Sequence, residues 1–350
     1  MKNEHWNTVI IGAGQAGLAT AYFLKKFNNE FIILDKFDKI GEAWRKRWES
    51  LMLFTPSQYD GLPGFPFPDE RDTFPDRNHM ASYLQDYAAR FSLPVNLNVN
   101  VSRLFKSNSH FEIESSSGRI ISDKVVVATG THPLPRIPVM ASGLSGEIFQ
   151  IHSSEYMNSD SLPTGDILVV GAGTSGIEIA LEISKSRNTM ISGNPTMHIP
   201  EALFKYGGNF FWWFINNIIT VKTPMGRKAK EKLRHGGSPL IKISAADLDK
   251  ANIRRVPRVS GVRNGKPELE DGTVLNVSGI IWATGYRPDF SWIDPDVTDE
   301  SGWPITNRGI SLITPGLYFN GMPFQFGLTS GLVGGVGRDA KFISEHIRRS

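Results

Sequence analysis

The 350-residue chain contains no cysteine. That absence removes disulfide frameworks, thiolate metal sites and every CxxC redox relay. It also lacks a surplus of charge of one sign: 38 Lys and Arg against 35 Asp and Glu leave +3, too balanced to argue for a nucleic-acid or membrane partner on electrostatic grounds. Long hydrophobic runs are missing too. The most apolar stretch, Phe210 to Ile219, holds two Asn and is about half the ~20 residues needed to cross a bilayer. The opening MKNEHWNTVIIGAG does not follow the order of a secretory signal. No acids or histidines have metal-ligand spacing, and Ser153 and Ser154 beside His152 lack a hydrolase nucleophile elbow. The expectation is a soluble cytoplasmic protein of about two domains, without a metal.

What the chain does have is a repeat. Thr8 to Gly17 reads TVIIGAGQAG and Ile167 to Gly176 reads ILVVGAGTSG. Each is a β-branched run, as in a buried parallel strand, ending in GxGxxG and flowing into a helical pattern, Leu18 to Phe27 and Ile177 to Ser186. A second echo follows: KVVVATG at 124 to 130 and GIIWATG at 279 to 285. Strand and turn signals precede each, including the Asn264-Gly265 and Asp271-Gly272 turns before the second. This predicts an α/β protein with two Rossmann-like dinucleotide-binding domains, the second inserted into the first, each with a small antiparallel β-meander. Proline-rich punctuation places 1–155 and 288–350 in the first domain and 156–287 in the second.

In such a motif Gly12 makes the tight turn, Gly14 lets backbone approach a pyrophosphate, and Gly17 lets helix and strand pack closely. Asp35, after a strand at Glu30 to Leu34, stands where an acid accepts the hydroxyls of an adenosine ribose. The second copy, Gly171, Gly173 and Gly176, is followed by Ser192-Gly193-Asn194, with no acid for a free 2'-hydroxyl and no Arg for a 2'-phosphate. Weak discrimination between NADH and NADPH is expected. One tight dinucleotide site and one site of a different kind suggest a flavoprotein reduced by a nicotinamide cofactor.

At this point the chain resembles class B flavin-dependent monooxygenases, in particular compact bacterial proteins of the flavin-containing monooxygenase type. The resemblance rests on GAGQAG, Asp35, Gly41-Glu42-Ala43-Trp44-Arg45, LFTPSQYDGLPGFPFP at 53 to 68, ATG at 128 to 130, His152 to Tyr156, GAGTSG, ATGYRPD at 283 to 289 and GLYFNGMPFQ at 316 to 325. It implies that NAD(P)H reduces FAD and that a C4a-(hydro)peroxyflavin formed with O2 oxygenates a small sulfide, amine or ketone. It places Gly12, Gly14, Gly17, Asp35, Lys36, Trp44, Arg45, Met52, Val101, Gly130, Gly321 and Gln325 along FAD. Gly171, Gly173, Gly176, Ser192, Asn194 and Arg287 become the NAD(P)H residues, and Phe54 and Gln325 the candidates for the flavin face. Two departures stand out. Positions 146 and 148 of the family's FxGxxxHxxx(Y/F/W) fingerprint hold Gly146 and Ile148, which argues against ketone oxidation as the main activity, and Leu53 to Pro56 supplies no Asn.

Two other readings fit the same fold: an NAD(P)H oxidase or electron-transfer reductase, and a regulatory protein that senses NAD(P)H. His152 reads first as a structural histidine. The aromatic stretch Phe204 to Val221, followed by the basic run Arg227 to Arg234, reads first as a packed helix or homodimer contact, then as a substrate tunnel. A membrane surface ranks last, because the cations form their own segment instead of one face of the same helix.

Overall fold

A computed structural model describes residues 4–131, 133–235, 240–241 and 243–350. The chain begins with β1 (Glu4–Ile11), α1 (Gln15–Lys26), β2 (Phe31–Leu34), the single turn α2 (Glu42–Arg45), α3 (Arg77–Arg90) and the short β3 (Val95–Asn96). An antiparallel run follows: β4 (Val101–Ser107), β5 (His110–Ser115) and β6 (Gly118–Val127). Next come β7 (Leu134–Pro135), β8 (Phe149–His152), β9 (Ile167–Val170), α4 (Thr174–Ile183) and β10 (Thr189–Ser192). Three helices, α5 (Glu201–Asn217), α6 (Pro224–His235) and α7 (Ala245–Lys250), lead to β11 (Arg254–Val256), β12 (Val259–Arg263), β13 (Lys266–Leu269) and β14 (Gly279–Trp282). The chain returns through β15 (Tyr286–Arg287), β16 (Ile293–Asp294), β17 (Thr306–Asn307), β18 (Ile310–Ser311) and β19 (Leu317–Phe319), and closes with α8 (Val336–Arg349).

These strands make two main sheets. In the first, β3, β2, β1, β6 and β19 lie side by side and parallel. In the second, β11, β10, β9, β14 and β8 do the same. Their central strands are apolar and buried throughout, Val9 to Ile11 and Ile167 to Val170. A parallel sheet covered on both faces requires this, since neither side chain row meets water. Strand β6 pairs with β1 on one side and serves two neighbours in turn on the other: residues 118 to 122 pair antiparallel with β5, and Val125 to Val127 pair parallel with β19. The return chain is thereby locked onto the sheet that opened the protein, with α8 packed beside α1.

One expectation is corrected. The second unit carries a two-stranded hairpin, β12 with β13, in place of a meander. Pro267 explains why: its carbonyl accepts Leu275 N–H, but it has no N–H to return, and the chain after the Asp271-Gly272 turn keeps a single bridge, Glu268 to Val274. β8 lies within the 1–155 stretch and pairs with β14 in the second sheet. The crossing occurs earlier, where β7 pairs antiparallel with β15 and the outgoing and returning chains run together. Strand pairing between residues far apart in sequence leaves no local mark.

Candidate functional site

The two glycine turns are alike in atomic detail. Gly12 has φ +108°, and a Cβ there would sit 2.5 Å from Ala128 O; Gly171 has φ +111°, and a Cβ would sit 2.3 Å from Ala283 O. At Gly17 and Gly176 a Cβ would come within 1.9 and 1.8 Å of the Gly12 and Gly171 carbonyls. By contrast, a Cβ at Gly14 or Gly173 would meet nothing within 4 Å. A Cβ at Gly130 or Gly285 would likewise meet nothing within 4 Å, and both have positive φ, +79° and +81°. Two glycines of each unit are therefore fixed by packing, and two face room outside the strand ends.

That room suits a pyrophosphate. α1 and α4 start at Gly14 and Gly173 with no side-chain cap and no acid in the first turn. Their first N–H groups lack intrahelical partners, and the helix dipole favours an anion there.

The units differ at one register position. Ile11 pairs with Leu34 and Val170 with Ser192, so the next residues, Asp35 and Gly193, are structural equivalents. Asp35 accepts from Ala13 N–H at 2.6 Å and Phe37 N–H at 2.9 Å. Gly193, with φ +109°, lies beside the Ala172 amide and brings no side chain. The sequence reading named Ser192 and Asn194 and missed Gly193; counting strand pairs from the glycine turn would have found it. Ser192 is buried, donates its hydroxyl to Pro257 O and accepts Val259 N–H. It braces the strand end, while Asn194 and Arg287 are exposed.

The remaining expected residues divide between the cradles and the scaffold. Val101 opens β4, close to the chain where Val99 N–H donates to Asp35 O. Lys36 is exposed and lies over the Phe37 ring. Trp44 packs on the core, and Arg45 donates to Ile40 O and Gln85 Oε1, both at 3.0 Å. Met52 pairs through its backbone with Asp76 and stands near Phe74 and His79. Gly321, φ +87°, abuts Ala16 on α1. Its neighbour Asn320, which the sequence reading passed over, is fully buried and donates to Ala16 O and Thr20 Oγ1. This bolts the return chain to the helix that carries the first cradle. Gln325 is buried with both amide ends engaged, its oxygen by Met322 N–H and its nitrogen by Arg308 O. Its side chain holds a turn. Phe54 joins Tyr59, Ile199, Phe211, Trp212 and Ile241 in an apolar cluster between the opening chain and α5, where Tyr59 and Trp212 stack at 4.7 Å.

His152 is fully buried. Its Nδ1 accepts Ser154 N–H at 3.1 Å, so Nε2 carries the proton and donates to Gly285 O at 3.0 Å. Burial lowers its pKa and keeps the ring neutral. The histidine positions the open glycine of the second unit and agrees with the structural reading.

Two buried acids, Asp60 and Asp339, escaped the sequence reading. Asp60 is fully buried; Oδ1 accepts from Thr55 Oγ1 at 2.5 Å, and Oδ2 has no partner. Desolvation raises its pKa to about 8, against the lowering effect of the Thr55 hydrogen bond. The folded pKa exceeds the unfolded one, so its favourable contribution is complete below the unfolded pKa and is lost as pH rises through about 8. Asp60→Asn is expected to raise Tm by several degrees near pH 8.5 and to change it little near pH 5 (about 1–3 kcal/mol at the alkaline end). Thermal melts across that range check this; an equal shift at both pH values would refute it.

The model for the family described as pyridine nucleotide-disulphide oxidoreductase matches residues 9–201. The CzcO-like oxidoreductase of Geobacillus kaustophilus is 37% identical, over 97% of this chain and 98% of that protein. A protein of Arabidopsis thaliana described as a probable indole-3-pyruvate monooxygenase, YUCCA8, is 30% identical over 97% of this chain and 88% of its own length. Among solved structures, the flavin-containing monooxygenase of Stenotrophomonas maltophilia shares the fold, with TM-score 0.81 at 24% identity and 99% of each chain covered. Two like glycine cradles on parallel sheets, and relatives aligned end to end, lead to one conclusion: the chain belongs to the pyridine nucleotide-disulphide oxidoreductase family and is an oxidoreductase of the flavin-monooxygenase type.

Proposed function

We propose that the chain takes reducing equivalents from NADPH or NADH and uses O2 to oxygenate small organic sulfides, amines or ketones, with FAD in the first cradle. The observation that carries this reading is the unequal duplication, Asp35 against Gly193 at one register position, on a chain without a thiol. The family's disulphide chemistry needs cysteines; this chain has none.

When bound, FAD supplies hydride acceptance and O2 activation that no side chain here offers. The protein's part is binding and orientation. Gly14 and Gly130 leave space for the pyrophosphate, and Asp35 keeps acceptor capacity for ribose hydroxyls beyond its two amide bonds. Gly173 and Gly285 do the same for the nicotinamide nucleotide, with exposed Asn194 and Arg287 nearby in the chain. The stretches before β7 and after β15 form the FAD unit and the stretch between them the NAD(P)H unit. The cluster of Phe54, Tyr59 and Trp212 supplies apolar surface from both stretches of chain.

Gly193 presents no carboxylate to repel a 2'-phosphate and none to hold a free 2'-hydroxyl. The ratio of kcat/KM for NADPH and NADH is expected to stay below about a thousandfold, roughly 4 kcal/mol. Steady-state kinetics with both nucleotides measures it; a larger preference for either refutes the reading.

The decisive experiment incubates FAD-loaded protein with NADPH and methyl phenyl sulfide in air and measures sulfoxide and hydrogen peroxide. Sulfoxide in excess of the peroxide-only control is expected. Peroxide equal to the nucleotide consumed, with no sulfoxide, would select the NAD(P)H oxidase, a reading favoured by the lack of an amide side chain in Leu53 to Pro56. A protein that stays colourless after FAD saturation would sink both enzyme readings and leave the NAD(P)H sensor.

A further inference from the structure

Helix α5 has two apolar faces and uses only one inside the protein. Gly208, Phe211, Trp212 and Ile215 point inward, where Trp212 stacks on Tyr59 and Asn209 Oδ1 accepts from the Tyr59 hydroxyl at 3.1 Å. On the other side Leu203, Phe210 and Trp213, spaced by seven and three residues, are 46%, 70% and 51% exposed. Phe210 and Trp213 stack on each other at 6.0 Å and leave their outer surfaces to solvent. Phe204, Lys205 and Tyr206 side chains lie outside the described residues. The packed-helix part of the sequence reading accounts for one face of this stretch, and the other face is exposed.

The next helix adds charge. Residues 222 to 234 carry six Lys or Arg and one acid, whereas the whole chain is only +3. Lys222, Arg227 and Lys228 are exposed, as is Met225 at the start of α6 at 52%. Only six residues separate α5 from α6, and the connection is pinned: Val221 N–H donates to Phe326 O, Leu328 N–H donates to Ile219 O, and Thr329 Oγ1 donates to Asn216 Oδ1. The pair of helices is held by the body of the protein while presenting an unpartnered aromatic stripe and a cationic segment.

We propose that α5 and α6 dock the protein on an anionic lipid surface. Exposed Trp and Phe suit the headgroup boundary, and neighbouring Lys and Arg suit an anionic leaflet. A second copy of this chain is the less fitting occupant, because a symmetric contact would set one strongly cationic segment against another. The ranking of a membrane surface last rested on cations and aromatics falling on different helices; two adjacent, anchored helices supply both. No described helix is long and apolar enough to cross a bilayer, so this contact lies at the surface.

The test sediments FAD-loaded protein with vesicles of phosphatidylcholine, with or without about one-third phosphatidylglycerol. Binding to anionic vesicles is expected to exceed that to neutral ones at least tenfold and to fall as NaCl rises from about 0.05 to about 0.5 M. Phe210→Ser/Trp213→Ser and Lys222→Glu/Lys228→Glu are each expected to cut binding at least tenfold with the flavin absorbance retained. Equal sedimentation with and without anionic lipid would overturn the proposal. So would a salt-stable dimer, seen by light scattering, that Phe210→Ser/Trp213→Ser converts to monomer.

Discussion

Gly14→Asp protein is expected to purify folded and without flavin. A Cβ at Gly14 meets nothing within 4 Å, so the backbone has no reason to move. The new carboxylate enters the space before the first turn of α1, where free N–H groups would face a pyrophosphate. Like charges and lost hydrogen bonds there should weaken FAD binding at least about 100-fold, roughly 3 kcal/mol. The measurement is FAD titration by flavin fluorescence, with circular dichroism to confirm the fold. Gly17→Ala is the contrasting control. Its Cβ would lie 1.9 Å from Gly12 O, and no rotamer relieves a methyl group, so the strand-to-helix turn must open. That variant should lose stability by about 3 kcal/mol or more. Tight FAD binding by Gly14→Asp would refute the placement of the cofactor.

Gly173→Asp is expected to keep its flavin and lose its reductant. The position repeats Gly14 in the second unit: open space over the Cβ, an uncapped helix start, and no first-turn acid. Flavin absorbance and Tm should match the parent, while kcat/KM for NADPH and NADH falls at least about 100-fold, roughly 3 kcal/mol. Rapid mixing of the oxidised protein with NADPH, followed by flavin bleaching, checks this directly. Equal loss of FAD from both aspartate variants would mean that the two cradles do not divide the two dinucleotides between them.

The repeat was legible because it is local. Strand, glycine turn and helix follow one another in TVIIGAGQAG and ILVVGAGTSG, and the buried strands need apolar runs that no other element would hide so completely. Asp35 was legible for the same reason. The assignment of β8 to the second sheet was not, since Ile151 and His152 meet β14 more than a hundred residues away. Arg45 and Gln325 are named along FAD by resemblance and Ser192 by its place after the second strand; the structure adds that their side chains bond to other parts of the protein. A side chain's hydrogen-bond partners are set by chain segments brought together in space, and a linear motif does not name them.

By itself, the sequence determined the α/β class, the two glycine cradles, the acid in one of them and the exclusion of thiol chemistry, because each depends on residues within a few tens of positions. Tertiary structure alone decided that Asn320 ties the returning chain to α1, that Asp60 is buried with an unpartnered oxygen, and that α5 keeps Phe210 and Trp213 outside. Register, burial and desolvation are properties of segments in contact. They exist only once the chain has closed on itself.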